Sequence, residues 1–168
     1  MTTTEKITIN LWFDEQAEEA RAFYTSVFKN ASVGRTAYYG KEGFEVHGRK
    51  AGSVMTAEFS LNGLSFVALN GGPHFKFNEA ISLVINCDNQ EEVDHYWNSL
   101  SEGGDEKAQM CGWLKDKYGL SWQVVPKLLP KLISDPDAAK AGRAMQAMLK
   151  IRGLLLVIAQ LFQKLIGS

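Results

Sequence analysis

The sequence predicts an α+β fold of two paired β-α-β-β-β modules followed by C-terminal helices. The main observation is an internal repeat, in which residues 7–18 (ITINLWFDEQAE) match residues 81–92 (ISLVINCDNQEE) at a shift of about 74 positions. Each copy combines an alternating strand, a polar turn and the start of an amphipathic helix. Two copies are too few for a solenoid, so we expect two sheets that pair and enclose a cleft. A cleft of this kind is where a ligand site is expected.

The elements of the first module follow from apolar alternation and turn signals. Residues 7–13 alternate as a half-buried strand does, and Asp14 is a plausible cap for a helix over 15–29. Further strands are predicted at 33–39, 44–48, 53–60 and 64–69. Asn62-Gly63 predicts a tight hairpin between the last two, because both residues tolerate positive φ. A glycine-rich break and an ordered connector then lead to the second module.

The second module repeats the strand and the helix. We predict a strand over 81–87 and a helix over 90–100, with Asn89 and Glu92 resembling a capping box. Gly103-Gly104 ends the helix. The remaining strands are predicted at 107–113 and 119–125.

The character of the chain changes after residue 126. A short helical turn is predicted over 126–133, and Asp135-Pro136 is a start signal for a helix over 136–150. The apolar stretch 154–166 predicts a last helix, which is too short to span a bilayer. We expect it to pack on the sheet or on a second subunit, with peripheral membrane contact as the alternative. The predicted domains are therefore a duplicated domain over 1–134, with modules at about 5–70 and 79–126, and a helical extension over 135–168.

Composition narrows the class of protein. The 168 residues carry a net charge of −1 and a pI near 6.3, so nucleic acid is not an expected partner. The N-terminus passes straight into a strand pattern without a signal peptide, which favours the cytoplasm. Cys87 and Cys111 lack the Cys-x-x-Cys spacing, and reduced thiols are expected there.

Three segments resemble a known family. LWFDEQAEEARAFY (11–24), LNGGPHFKFNEAIS (69–82) and CGWLKDKYGLSWQVVP (111–126) are similar to the PhnB-like branch of the vicinal oxygen chelate superfamily. That superfamily also holds glyoxalase, extradiol dioxygenases and the bleomycin- and fosfomycin-resistance proteins. The resemblance covers about residues 5–150 and implies paired β-α-β-β-β modules and a homodimer. The apolar tail departs from the more polar ending usual in the family.

The branch is often labelled as demethylubiquinone methyltransferase-like, and the residues give this activity no support. A methyltransferase of the doubly wound kind needs a glycine-rich turn between its first strand and helix. Here that connection is Asp14-Glu15-Gln16.

Metal-dependent relatives place His or Glu ligands on the first and last strands of each module. The matching windows in this chain are 7–10, 64–70, 81–84 and 121–125, and none contains His, Asp, Glu or Cys. Gln123 lies about where a ligating Glu would be, and a neutral amide is a poor replacement for a carboxylate. We therefore predict no metal and no cofactor.

The histidines and cysteines offer few catalytic candidates. His74 follows Gly72-Pro73 and could line the mouth of the cleft, although a structural role is favoured, while His47 and His95 are expected to be solvated. Cys111 is a weak catalytic candidate, because nearby lysines can lower the pKa of a thiol. Cys87 is assigned to packing.

Aromatic and amide residues form the predicted ligand site. An apolar pocket with a few amides suits a flat or amphipathic organic molecule. The predicted ligand-binding residues are Asn10, Trp12, Phe66, Asn70, His74, Trp113, Trp122 and Gln123. The leading hypothesis is a homodimer that sequesters a small apolar or aromatic ligand without a metal. The alternatives are a metal-dependent or thiol-assisted enzyme of the superfamily and a partner-binding module that uses the apolar tail.

Overall fold

The computed structural model of the chain describes residues 7–149. The predicted apolar helix at 154–166 lies outside the described residues. The described part of the chain forms two compact units, one ending at Lys76 and the other beginning at Phe77.

The first unit is a four-stranded sheet with one long helix. Its elements are β1 (Ile9–Phe13), α1 (Ala17–Val27), β2 (Ala31–Tyr38), α2 (Phe44–His47), β3 (Val54–Leu61) and β4 (Leu64–Asn70). The strand order is β1-β4-β3-β2, and β1 runs parallel to β4 while the other pairs are antiparallel. The predicted hairpin is confirmed, since Asn62 and Gly63 connect β3 to β4 with φ values of 48° and 85°.

The core of the first unit lies between this sheet and α1. Alternate residues of β3 and β4 point to the helix, and Phe59 stacks on Phe66 with ring centroids 5.0 Å apart. Tyr24 of α1 stacks on Phe59 in turn, at 6.0 Å. Ala17 and Ala20 are fully buried on the same helix, so small residues let α1 approach the sheet closely.

The second unit repeats the arrangement with one strand fewer. Its elements are β5 (Leu83–Cys87), α3 (Gln90–Ser101), a 3-10 turn (Glu106–Ala108), β6 (Trp113–Lys115), β7 (Ser121–Pro126), α4 (Leu129–Ile133) and α5 (Ala138–Leu149). The order is β5-β7-β6, and β5 runs parallel to β7, as β1 does to β4. Because β1 and β5 end 74 positions apart, at Phe13 and Cys87, the repeat in the sequence corresponds to a repeat in topology. The predicted α+β class of fold is confirmed.

The predicted strand at 44–48 is wrong, because this segment is the short helix α2. Gly43 and Gly48 bracket it with φ values of 78° and 64°, which end an extended conformation on both sides. Backbone bonds from Val46 and His47 to the carbonyl of Gly43 close the helical turn.

The predicted strand at 107–113 is also wrong. Asp105 accepts a hydrogen bond from the backbone of Lys107 and so begins a 3-10 turn. Cys111 and Gly112 then adopt positive φ, 51° and 86°, which prevents a continuous strand. The strand of this region is β6 and begins at Trp113.

Two of the three predicted helix caps differ in the structure. Asp14 does not cap α1, whose N-cap is Gln16, and the side chain of Gln16 makes no capping hydrogen bond. Asp137 and not Asp135 begins α5, since its Oδ1 accepts from the backbone of Ala139 at 2.9 Å. One half of the predicted capping box of α3 is confirmed, because the side-chain oxygen of Asn89 accepts a hydrogen bond from the backbone N–H of Glu92 at 2.9 Å.

Candidate functional site

One face of the first sheet packs on α1. The opposite face, which we call the open face, carries mainly apolar side chains on one half and polar side chains on the other. The strand register aligns its residues in rows, because paired positions share a face. One row runs Trp12, Leu69, Thr56 and Ala37, the next runs Asn10, Val67 and Glu58, and a third runs Ser65, Ser60 and Ser32. The β1–β4 half is therefore mainly apolar, whereas the β3–β2 half is polar.

Trp12 is held in one position on the open face by three neighbours. Its indole N–H donates to the carbonyl of Gly72 at 2.8 Å. The ring of Phe75 meets it edge to face, with centroids 4.9 Å apart. Gly71 lies against the indole so closely that an added Cβ would overlap the six-membered ring. A preorganised aromatic side chain loses little conformational freedom when a ligand packs on it.

The polar half of the open face contains an ion pair built on a β-bulge. Between Val33 and Thr36 the register of β2 slips, so that Gly34 and Arg35 together oppose Glu58. Nε of Arg35 donates to Oε2 of Glu58 at 3.2 Å, and Nη2 donates to Oε1 at 3.0 Å. Gly34 permits this approach, because a Cβ there would lie 2.8 Å from Cβ of Glu58.

The hydrogen bonds between Arg35 and Glu58 shift the pKa values of both side chains. The hydrogen bonds from Arg35 lower the pKa of Glu58 below its usual value. The same contact raises the pKa of Arg35. Both groups therefore stay ionised over the physiological pH range.

Asn70 is the last residue of β4 and makes hydrogen bonds to Ala17, Val54 and Tyr39. Its Oδ1 accepts from the backbone N–H of Ala17 at 2.8 Å, and its Nδ2 donates to the carbonyl of Val54 at 3.1 Å. Tyr39 donates its hydroxyl to the backbone carbonyl of Asn70 at 2.7 Å. With every side-chain polar atom bonded inside the protein, Asn70 acts here as a structural residue.

The second sheet has an exposed side of similar composition. Trp113 of β6 pairs directly with Gln123 of β7, and Val84 of β5 pairs with Gln123 on its other side. Gln123 donates through Nε2 to the hydroxyl of Ser82 at 2.8 Å. Trp113 and Gln123 are half-buried, so they remain accessible in part.

Two predicted site residues belong to the hydrophobic core instead. Phe66 faces α1 and is 3% exposed. Trp122 is 2% exposed, and its indole N–H donates to Oδ2 of the buried Asp116 at 2.8 Å. The backbone N–H groups of Tyr118 and Leu120 donate to Oδ1 of the same carboxylate. Because Phe66 and Trp122 are buried in the core, neither side chain presents surface on which a ligand could pack.

The remaining candidates are scattered. His74 is exposed in the segment after β4. His47, predicted to be solvated, is half-buried, with its Nδ1 accepting from the backbone of Arg49 at 2.9 Å. Cys111 is half-buried in the turn before β6. Burial raises the pKa of the Cys87 thiol to about 12, which agrees with its assignment to packing.

Sequence reasoning missed Glu58 and Arg35, which form an ion pair on the polar half of the open face. The positions predicted to hold charged ligands are the first and last strands of each module, whereas Glu58 lies on β3. The signal was present in the alternation of Thr56, Glu58 and Ser60 with apolar residues, which places all three opposite the core face.

The donor set of the described residues does not fit a metal ion. No group of three or more His, Cys, Asp or Glu side chains that could hold one occurs within residues 7–149. Glu58 is the carboxylate of the open-face rows, and both its oxygens accept from Arg35. A divalent metal site needs several anionic or imidazole ligands around one point.

Two sheets in which the first strand runs parallel to the last define a glyoxalase-like class of α+β protein. The chain belongs to the family described as 3-demethylubiquinone-9 3-methyltransferase, whose model matches residues 5–125. This is the PhnB-like branch of the vicinal oxygen chelate superfamily that the three sequence motifs predict, and the prediction is confirmed.

The chain is also similar to solved structures, and the relative at 34% identity supports the assignment to the family. A putative 3-demethylubiquinone-9 3-methyltransferase, PhnB protein, from Bacillus cereus is 34% identical, with a TM-score of 0.63, and the match covers 73% of this chain and 99% of that chain. Protein PA1353 from Pseudomonas aeruginosa is 20% identical, with a TM-score of 0.57 and coverage of 74% and 98%. The fosfomycin resistance protein FosX from Listeria monocytogenes is 18% identical, with a TM-score of 0.49 and coverage of 78% and 97%. No curated protein matches the chain.

The helices of residues 7–149 are all too short or too polar to cross a lipid bilayer.

Proposed function

We propose that this protein binds a small apolar or aromatic organic molecule without a metal and releases it unchanged. The observation that carries the proposal is the fixed position of Trp12 on the open face, opposite Leu69 and one row from Asn10. An anchored indole beside an aliphatic side chain and an amide can hold a flat ring by packing and orient it by one hydrogen bond.

The second unit supports the same chemistry. Trp113 lies directly opposite Gln123, so a large aromatic ring again neighbours an amide on the partly exposed side of a sheet. Of the predicted ligand residues, Asn10, Trp12, Trp113 and Gln123 therefore remain in the proposal, with His74 as an exposed residue beside Gly72 and Pro73.

The metal-free part of the proposal depends on the donor set. The open face offers one carboxylate, already neutralised by a guanidinium group, together with amides and hydroxyls. Such groups bind organic ligands better than transition metals. We expect treatment with a chelator to leave ligand affinity unchanged.

A titration of isotope-labelled protein with 2-naphthamide tests the proposal. The expected result is saturable shifts of the Trp12 indole N–H and of the Val67 and Leu69 amides in ¹H–¹⁵N spectra. Trp12→Leu should weaken binding about tenfold or more, as expected for the loss of an aromatic contact of about 1.5 kcal/mol or more. Trp12→Phe keeps a ring and should lose less.

The matched control is Phe44→Leu, which changes an exposed aromatic residue of α2 that lies off the open face. It should bind as the wild type does. If no compound of an aromatic panel shifts the Trp12 resonance, or if 2-naphthamide binds equally well to Trp12→Leu, the proposal fails. Recovery of a chemically altered ligand would replace sequestration by catalysis.

We further propose that the protein is a homodimer, as the family resemblance implies. Exposed apolar residues such as Val33 and Tyr38 on the edge strand β2 support this, since unpaired strand edges favour association. Light scattering coupled to gel filtration would measure a mass near twice 18.7 kDa for a dimer. The cytoplasm remains a prediction of the sequence.

A further inference from the structure

The bulge in β2 gives Arg35 an unusual setting. Its side chain is 88% exposed, yet two hydrogen bonds to Glu58 fix the plane of the guanidinium group. A free surface arginine samples many rotamers, and an arginine tethered in this way samples few. The group is therefore both accessible and oriented.

The ion pair uses one edge of the guanidinium group and leaves a second. Glu58 occupies the side edge, formed by Nε and Nη2. The end edge consists of one N–H from Nη1 and the other N–H from Nη2, which are parallel. Within the described residues the side chain of Arg35 bonds to Glu58 alone, so this end edge is open. Two parallel N–H groups match the two oxygens of a carboxylate.

The spacing between strand β2, which carries Arg35, and the apolar half of the open face suits a small molecule. Strands β2, β3 and β4 are consecutive in the sheet, and neighbouring strands lie about 4.8 Å apart. Val67 and Leu69 on β4 are thus on the order of 10 Å from β2. A bicyclic aromatic ring with one carboxylate substituent spans a similar length.

We propose that the ligand of the open face is an aromatic or apolar carboxylate, with its ring over Val67 and Leu69 and its carboxylate on the end edge of Arg35. This rests on the proposed function and names the class of molecule. The pKa shifts of both partners agree with a guanidinium that stays charged at neutral pH.

An organic cation is the competing class. An ammonium group would need the oxygens of Glu58, and both already accept from Arg35. It would also approach a guanidinium group of the same charge. The charge pattern therefore favours the anion.

Three isosteric probes test the inference: 2-naphthoate, neutral 2-naphthamide and cationic 2-naphthylmethylamine. The measured quantity is the ratio of the naphthamide Kd to the naphthoate Kd, which cancels the contribution of the ring. In wild-type protein we expect a ratio of about three to five, because exposed ion pairs contribute modestly. The ratio should decrease toward one in high salt.

The variants separate charge from geometry. Arg35→Gln removes the guanidinium group and leaves the Glu58 carboxylate unpaired, so the ratio should fall to about one or below. Arg35→Lys keeps the charge and loses the parallel N–H groups, so its ratio should be about two or less. Lys29→Gln, an equal change of charge at an exposed position after α1, should keep the wild-type ratio.

The outcomes distinguish this inference from the proposed function. If naphthamide binds at Trp12 and naphthoate binds no better, the proposed contact between a ligand carboxylate and Arg35 is wrong, whereas the proposed binding function is retained. Tighter binding of the amine would assign the site to cations. If Arg35→Gln keeps the wild-type ratio of the two Kd values, the ligand carboxylate does not bind at Arg35. If Arg35→Lys keeps that ratio, the carboxylate does not accept two parallel hydrogen bonds from the guanidinium group. If none of the three compounds shifts the Trp12 resonance, both proposals fail.

Discussion

The side-chain oxygen of Asn70 lies 2.8 Å from the backbone nitrogen of Ala17 and accepts its hydrogen bond. The last residue of β4 thereby caps the first turn of α1, which has no cap of its own. One buried amide thus connects the helix, the sheet and, through the carbonyl of Val54, the start of β3. Asn70 is followed directly by Gly71, which packs against the Trp12 indole, and by Gly72, whose carbonyl accepts the indole hydrogen bond.

Replacing Asn70 by alanine should destabilise the first unit by about 2–3 kcal/mol. The change leaves the buried N–H of Ala17 without its partner, which costs about 1–3 kcal/mol, and removes one hydrogen bond to the part-buried carbonyl of Val54. Urea denaturation measures the effect. Asn30→Ala, at an exposed position of the same unit, is the control and should stay within about 0.5 kcal/mol of wild type. An equal loss in both variants would contradict the capping role.

Gly71→Ala should displace the Trp12 indole, because the new Cβ would overlap its ring. Overpacking of this kind costs about 1–3 kcal/mol. We expect a lower Tm, a shifted Trp12 indole N–H resonance and weaker 2-naphthamide binding.

Gly142→Ala in α5 is the matched control for this change, since no atom lies within 4 Å of its added Cβ. It should stabilise the helix by about 0.5–1 kcal/mol. A Gly71→Ala protein with an unchanged Trp12 resonance would show that the indole is not held by this contact.

The thiol of Cys87 should make the protein less stable in alkali. Burial raises its pKa to about 12 in the folded state, whereas the unfolded thiol ionises near 8.5. Between these values the folded state binds the extra proton, so the free energy of unfolding decreases as pH rises, by about 1.4 kcal/mol per pH unit at most. Cys87→Ala should show a flatter dependence in urea denaturation. An identical slope in the two proteins would contradict the assignment.

Glu58 should titrate below its usual range near pH 4.3, because Arg35 bonds both oxygens of the ionised form. The lowered pKa means that the pair contributes stability above that range and that this contribution is lost as pH decreases through the folded pKa. Carboxyl ¹³C NMR measures the titration directly. Arg35→Gln should return Glu58 toward its usual value, and Lys29→Gln should not. A normal titration in wild-type protein would contradict the ion pair.

Local features of the chain were the ones that could be predicted from sequence. The Asn62-Gly63 hairpin and the Asn89 cap each depend on atoms a few residues apart, so the required chemistry is visible in a short window. The internal repeat was visible because strand, turn and helix recur in order, and it indicated the class of fold.

The two wrong strand predictions concern segments where glycine or positive φ overrides strand character. Residues 44–48 read as a strand, yet Gly43 and Gly48 enclose a helical turn. Residues 107–113 are interrupted by the backbone of Cys111, a residue that rarely adopts positive φ.

The sequence by itself indicated the repeated strand arrangement and the family, and a site of aromatic and amide residues stays its prediction. The tertiary structure decided which face each residue takes. Alternation shows that Phe66 and Val67 point in opposite directions, but only the position of α1 makes one of them core. The tertiary structure also joined Asn70 to Ala17, 53 residues apart, and Arg35 to Glu58, 23 apart. Such contacts depend on strand register and a bulge, which short windows of sequence do not encode.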